Sequence, residues 1–274
     1  MTILLTKIRQ KEILIGVGIL SLTLIVLLLL AILLPQDPTA SSSNTPDDPE
    51  NTLIANPYGP EDFVYEGDYL TCLAGESILG IDVSYHQQQI DWEAVARAGI
   101  RFVMIRVGYR GYKTGDLNVD IMAQENYLGA KKAGLKIGAY FFSQATNVEE
   151  AQAEAAFALN IIKDWKLDMP FVYDWEYLSE EARTADTDAE TVMACTLAFC
   201  QAMEQQGRQP MVYFNPHMTK KYVRLEDLKQ YPFWLAMYSD QMTFPYRVDM
   251  WQYTDSGSVP GIQGKVDIDL FFPY

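Results

Sequence analysis

The chain has 274 residues, 49% hydrophobic and 21% charged, with 21 Lys and Arg against 36 Asp and Glu for a net charge of −15. That apolar and aromatic content excludes a disordered chain, and so acidic a balance argues against nucleic acid or anionic lipid headgroups as the main partner. Three cysteines in this length make no disulfide framework; Cys195 and Cys200 lie five apart on one expected helix and point about 140° apart, so a disulfide would need Cys72, and none is expected.

Ile13 to Leu34 contains no charged residue and no Pro, and its 22 positions exceed the roughly 20 that cross a bilayer as a helix. This predicts a transmembrane anchor rather than a cleaved signal peptide, whose apolar core runs about 7–15 residues and ends at a small-residue site not found after Leu34. Lys7, Arg9 and Lys11 precede the span, and no Lys or Arg follows until Arg97. That asymmetry sets residues 1–12 as a cytoplasmic tail and the bulk of the chain outside the cell membrane. Residues 35–76, rich in Pro, Ser and acids and free of basic residues, read as an extended solvated stalk, with the folded domain at 77–274.

Beyond Ser77, eight β-branched or aromatic runs are expected strands: Ile78 to Ser84, Arg101 to Val107, Lys136 to Ser143, Phe171 to Glu176, Met211 to Asn215, Phe233 to Tyr238, Val248 to Thr254 and Val266 to Phe271. Helix starts are signalled by Asp91, by Asp120 before Ile121 to Ala133, and by Asn147 with Glu150 as a capping box. Gly99, Gly134 and Gly207 each end a helical pattern just ahead of a strand. Repeated helix–Gly–strand units imply an α/β fold with a mainly parallel sheet. Eight strands in this length suit an irregular (β/α)8-type barrel whose last three connections are too brief for full helices, with a doubly wound open sheet as the alternative.

The chemistry-bearing residues are acids at strand ends. Asp174 and Glu176, at i and i+2 in Val172-Tyr173-Asp174-Trp175-Glu176, point to one side of the sheet, and Tyr173 and Trp175 between them should face the helices. Like charges that close raise each other's pKa, which keeps one acid protonated near neutrality beside an ionised partner. Asp82 sits late in its strand, and Asp267 and Asp269 are expected to do the same. Strand ends of a barrel converge on one face, and several acids gathered there with few bases are the layout of a glycosidase. Other readings stay open at this stage: Asp82 as a helix cap, Asp174 and Glu176 as ligands of a divalent cation, and His86 as a surface residue rather than part of a cleft. The two histidines, His86 and His217, have no metal-site spacing, and no cofactor motif accompanies them. Tyr140, Trp234 and Tyr238 are the aromatic candidates for stacking on sugar rings.

These residues together resemble glycoside hydrolase family 25, the muramidases that cut peptidoglycan. The resemblance rests on Gly80-Ile81-Asp82-Val83-Ser84, Gly138-Ala139-Tyr140-Phe141-Phe142, Asp174-Trp175-Glu176, Phe233-Trp234-Leu235-Ala236 with Tyr238, and Met250-Trp251-Gln252-Tyr253-Thr254 followed by Gly264-Lys265-Val266-Asp267. It implies an irregular β/α barrel acting on peptidoglycan glycan strands at the β-1,4 bond between N-acetylmuramic acid and N-acetylglucosamine. It makes Glu176 the general acid, Asp82, Asp174 and Asp267 its acidic partners, and Gln252 a substrate contact beside Tyr140, Trp234 and Tyr238. Two positions depart from the family pattern: Asp269 stands where Asn is usual, and Trp175 where a smaller residue is usual. The expected whole is a membrane-anchored wall hydrolase whose stalk suits display into the thick wall of a Gram-positive bacterium. The alternatives are a catalytically silent wall-binding module and a wall-opening subunit of an export or conjugation machine.

Overall fold

The computed structural model describes residues 52–273, all within one folding unit. The expected anchor, its cytoplasmic tail and residues 35–51 of the expected stalk lie outside the described residues. Among the described residues no helix is long and apolar enough to cross a membrane.

A hairpin of β1 (Phe63–Glu66) and β2 (Tyr69–Cys72) precedes the main sheet. Then come β3 (Ile78–Val83), α1 (Trp92–Arg97), β4 (Phe102–Arg110), the short β5 (Leu117–Val119), α2 (Ala123–Lys132), β6 (Lys136–Ser143), α3 (Val148–Ile161) and β7 (Phe171–Trp175). The chain continues through α4 (Ala189–Gln205), β8 (Pro210–Phe214), α5 (Pro216–Lys221), β9 (Phe233–Ala236), β10 (Met250–Gly257) and β11 (Val266–Phe271). Strand order β3-β11-β10-β9-β8-β7-β6-β4 closes on itself through β3–β4 pairing, giving an eight-stranded barrel with β5 as an appendage on β4. The open-sheet alternative is thereby excluded.

Helix boundaries follow their caps. Asp91 accepts from Ala94 N at 3.1 Å and Asn147 from Glu150 N at 2.9 Å. Gly99, Gly134 and Gly207 take φ of 100°, 78° and 67°, the left-handed conformation that closes a helix before a strand. Asp120 is not the helix start it was expected to be, since α2 begins at Ala123. Asp120 is 1% exposed and is used otherwise: it accepts from Tyr85 N, Met122 N and the Arg106 guanidinium.

Pairing is parallel around the barrel except at β11, which runs antiparallel to both β10 and β3. The β10–β11 connection is a short loop rather than a helical crossover, so the strand must reverse. This corrects the placement of Asp267: it lies at the start of its strand, and the reversal is what brings it opposite Asp82 in register.

Period-two alternation divides the side chains into two layers. Phe102, Met104, Val172, Met211, Trp234 and Met250 point inward and fill the barrel below the acids. Gly80 and Gly138 make room for them, because a Cβ at Gly80 would sit 2.2 Å from the Phe102 ring and one at Gly138 2.4 Å from Met104 sulfur. The outward residues join the helices in the larger core. Tyr173 packs on Phe199 of α4 with ring centroids 4.6 Å apart, and Trp175 on Tyr222, so both face the helical layer as their alternation with the acids requires.

The stalk boundary at residue 76 is also corrected. Among the described residues no helix packs as a layer on the outside of β10, β11 and β3, and the β1–β2 hairpin takes that place. Phe63 packs edge-on to Trp251 with centroids 5.0 Å apart, and Leu70 N donates to the Tyr253 hydroxyl. Phe63, Leu70 and Cys72 are buried in the same core as Trp251, Ile268 and Leu270. The folded domain thus extends well before Ser77, because three strands with apolar outer faces need a cover. Cys72, Cys195 and Cys200 are all free and buried.

Candidate active site

At the end of the barrel reached by the C-termini of the parallel strands, a cleft of about 210 Å³ is lined by Asp82, Arg106, Tyr140, Asp174, Glu176, Tyr213, Trp234, Tyr238, Gln252 and Asp267 among others. All four expected catalytic acids and all four expected substrate contacts meet here. Each comes from a different inward position: Asp82 from β3, Tyr140 from β6, Asp174 from β7 with Glu176 just beyond it, Trp234 from β9, Gln252 from β10 and Asp267 from β11.

The acids are held in a small hydrogen-bonded frame. Gln252 donates to Asp82 Oδ2 at 2.7 Å and accepts from the hydroxyls of Tyr213 at 3.0 Å and Tyr238 at 3.3 Å. Gln252 is buried, so its amide spends its polar groups on orienting Asp82 and the two tyrosines. Asp82 and Asp267 stand opposite each other in register in the β3–β11 ladder, and both line the cleft. Asp269, 0% exposed, accepts from the Trp234 indole at 2.9 Å while its second oxygen is buried without a partner. Trp234, edge-on to both Tyr140 and Tyr213, is itself buried and forms the cleft floor. Tyr238, 57% exposed, stands at the rim with its ring open to a ligand.

Burial first, and mutual repulsion second, raise the pKa of every acid in the cluster. Glu176 is pushed up to about 7 by burial and by the charge of Asp267. Asp267 is pushed up to about 6 by burial and by Asp255. Asp82, Asp174 and Asp269 are driven well above the ordinary carboxylate range, by burial and then by Asp267 in the first and last cases and by Glu176 in the second. Arg106 works against this at Asp174. The cluster therefore keeps protons near neutrality, which is what an acid catalyst among carboxylates needs.

Three features of the site were not anticipated from the sequence. Arg106, the only Arg or Lys among the described residues that line the cleft, is fixed by a 2.9 Å bond from Nε to Asp120. Its inward position in the alternation Phe102, Met104, Arg106 was the available signal. Tyr213 follows Met211 inward in the same way. Gln144, fully buried, donates to the main-chain oxygen of Glu176 at 2.7 Å and accepts from Thr184, which fastens the segment following the acid. Arg183 reinforces it by donating to Gln144 O and pairing with Glu150 at 2.6 Å. Burial raises Glu150, but the Arg183 and Thr146 hydrogen bonds overcome it and hold the carboxyl at about 2. No sequence periodicity marks such a loop clasp.

Of the open readings, the cap role of Asp82 does not hold: Ser84, not Asp82, accepts from the His86 amide at the turn after β3. His86 is solvent-exposed and still touches the cleft. Among the described residues no group of three or more His, Cys, Asp or Glu side chains is disposed to hold a metal ion.

Comparison with known proteins agrees with this geometry. The chain is 29% identical over 193 residues to the autolytic lysozyme of Clostridium acetobutylicum, covering 70% of this chain and 55% of that protein. The modular autolysin LytC of Streptococcus pneumoniae superposes with a TM-score of 0.62 at 27% identity, over 72% of this chain and 47% of LytC. A family 25 glycosyl hydrolase from Bacillus anthracis shares the fold, with a TM-score of 0.63 at 20% identity over 77% of this chain and 95% of that one. The chain thus spans about half the length of the first two. The model of the glycosyl hydrolases of family 25 matches residues 81–262, a stretch that contains Asp82, Asp174 and Glu176, and the chain belongs to that family.

Proposed function

We propose that this protein hydrolyses the β-1,4 bond between N-acetylmuramic acid and N-acetylglucosamine in peptidoglycan, from an anchor at Ile13 to Leu34 that holds the domain outside the cell membrane. The observation that carries the chemistry is a carboxyl with its pKa at about 7, Glu176, set in a cleft of further acids. Membership of the glycosyl hydrolases of family 25 supports the reaction class, and a LytC structure in complex with a synthetic peptidoglycan ligand supports the substrate. The anchor rests on the uncharged 22-residue span and the basic residues before it.

Glu176 gives its proton to the glycosidic oxygen as the bond to the anomeric carbon breaks and the electron pair leaves with that oxygen. Asp174 stands two residues before Glu176 and lines the same cleft. The proposed route is retaining, with the sugar's own 2-acetamido group in place of an attacking water. The 2-acetamido carbonyl oxygen of the sugar forms the new bond to the anomeric carbon, and its N–H donates to Asp174. Asp174 Oδ1, buried without a partner, supplies the acceptor for that N–H. A hydrogen bond to the carboxylate favours its ionised form, so the bound sugar leaves the shared proton on Glu176, where it is needed. Water then opens the ring intermediate and returns a proton to Glu176.

Turbidity loss on purified peptidoglycan, with mass spectrometry showing new N-acetylmuramic acid reducing ends, tests the reaction; new N-acetylglucosamine ends or none would overturn it. Asp174→Asn should slow turnover by about 10²-fold or more without any glycosyl-enzyme ester, and a thiazoline analogue of the sugar should inhibit. A covalent adduct on Asp174 would defeat assistance by the substrate, and an inverted first product would defeat the retaining route. Anchoring is tested by protease added to intact cells, which should release the domain; a mature protein beginning after Leu34 would refute it.

A further inference from the structure

Beside the cleft lies a second recess of about 260 Å³, lined by Tyr85, His86, Arg106, Tyr109, Tyr112 and Phe142 together with Arg110 and Gly111. It is continuous with the cleft, since His86, Arg106 and Phe142 line both. The cleft alone is smaller than the roughly 300–1,000 Å³ of ordinary ligand sites, whereas the two together fall within that range.

Its chemistry differs from that of the acid cluster. Four of its walls are aromatic, and two of these rings, Tyr85 and Tyr112, are 37% and 46% exposed. The Arg106 guanidinium lies 5.0 Å from the Tyr85 ring centre and 5.2 Å from that of Tyr109, held there by the Nε bond to Asp120. Its Nη2 is buried and has no hydrogen-bond partner. Arg110, by contrast, is fully engaged with Glu154, Gly115 O and Glu150 O. An aromatic-walled recess with an unspent guanidinium Nη2 beside it suits a ring that has an apolar face and oxygen acceptors at its edge. An anionic ligand fits poorly, because Asp82, Asp174, Glu176 and Asp267 stand in the adjoining cleft.

We infer that this recess is an accessory subsite for a further, uncharged pyranose of the same glycan strand, gripped by Tyr112 and Tyr85 and hydrogen-bonded by Arg106 through a hydroxyl or acetamido oxygen. This rests on reading the cleft as a glycan-cleaving site. The consequence is a preference for long strands: a glycan that reaches past Phe142 gains contacts that a short one lacks.

The test uses peptide-free peptidoglycan glycans of four and eight sugars with the full-length protein. Tyr112, which touches the recess and not the cleft, is replaced by Ala and, as the conservative control, by Trp. In the wild type, KM for the octasaccharide should lie about fivefold to tenfold below that for the tetrasaccharide, the gain of one aromatic contact. Tyr112→Ala should lose that gain with kcat on the tetrasaccharide unchanged, and Tyr112→Trp should keep it. Equal KM values for the two lengths in the wild type, or a Tyr112→Ala protein that retains the full gain, would overturn the subsite. A Tyr112→Ala protein that melts early is replaced by Tyr85→Ala, read in the same way. Failure of the wild type to cleave either glycan would sink the glycosidase reading instead; octasaccharide affinity measured by calorimetry then decides the subsite alone, with a Tyr112-dependent Kd supporting it and a Tyr112-independent one rejecting it.

Discussion

Glu176→Gln should lower kcat on peptidoglycan by about 10²- to 10⁴-fold while the domain folds as before. The amide keeps the size of the side chain and removes the transferable proton. In the wild type that proton is held by burial and by Asp267, with the pKa at about 7. The same value fixes the pH dependence. The acid form is required, so kcat/KM of the wild type should fall about tenfold per pH unit once the pH rises through about 7. Stability moves in the matching direction. A carboxyl whose folded pKa lies above its unfolded value binds more protons in the native state between the two, so its contribution is intact at acid pH and is lost as pH rises through about 7. Glu176→Gln has no such loss, and its melting temperature should equal the wild type's near pH 4 and exceed it at pH 8. Turnover within a few fold of wild type would remove Glu176 from its role, and an EDTA-sensitive wild type would reopen the cation reading of the same carboxylates.

Removing the chain up to Glu76 should abolish folding of the domain, although every catalytic residue lies beyond that point. Phe63, Leu70 and Cys72 are buried against the outer face of β10 and β11, and Tyr58 adds a ring contact to Phe272 at 5.1 Å. Each large apolar side chain so buried is worth about 1.5–3 kcal/mol, and the strand residues they cover lose a similar amount on exposure. Against a typical domain stability of about 5–15 kcal/mol, the whole hairpin is not dispensable. A protein starting at Thr52 should melt cooperatively, whereas one starting at Ser77 should be insoluble or unfolded by circular dichroism. Phe63→Ala alone should cost about 3–5 kcal/mol. A 77–274 fragment with the melting temperature of the longer chain would contradict this.

The barrel and its acids were legible because both obey local periods. Asp174 and Glu176 advertise themselves by breaking an apolar run at inward positions, and the glycine-ended helices imply parallel crossovers. What the residues did not reveal is non-local. The reversal of β11 depends on the length of one loop, so Asp267 reaches the cleft from the start of its strand and not from the end where it was expected. The hairpin was masked by its acidic, Pro-flanked surroundings: Phe63, Leu70 and Cys72 are three apolar positions in a stretch whose charge reads as solvated. Arg106 and Asp120, fourteen residues apart, become partners only when β4 and the turn before α2 are brought together. Asp120 therefore resembled a helix cap, and Arg106 had no reason to be noticed.

The inward plug of Phe102, Met104, Met211 and Met250 seals the barrel beneath the acids. For the glycan cleavage proposed above, a bowl open at its rim lets a strand lie across the mouth and leave on either side, so scission is expected at interior bonds as well as at ends. A single interior event would halve a strand rather than trim it, and mesh strength in a crosslinked wall would fall before much soluble sugar is released.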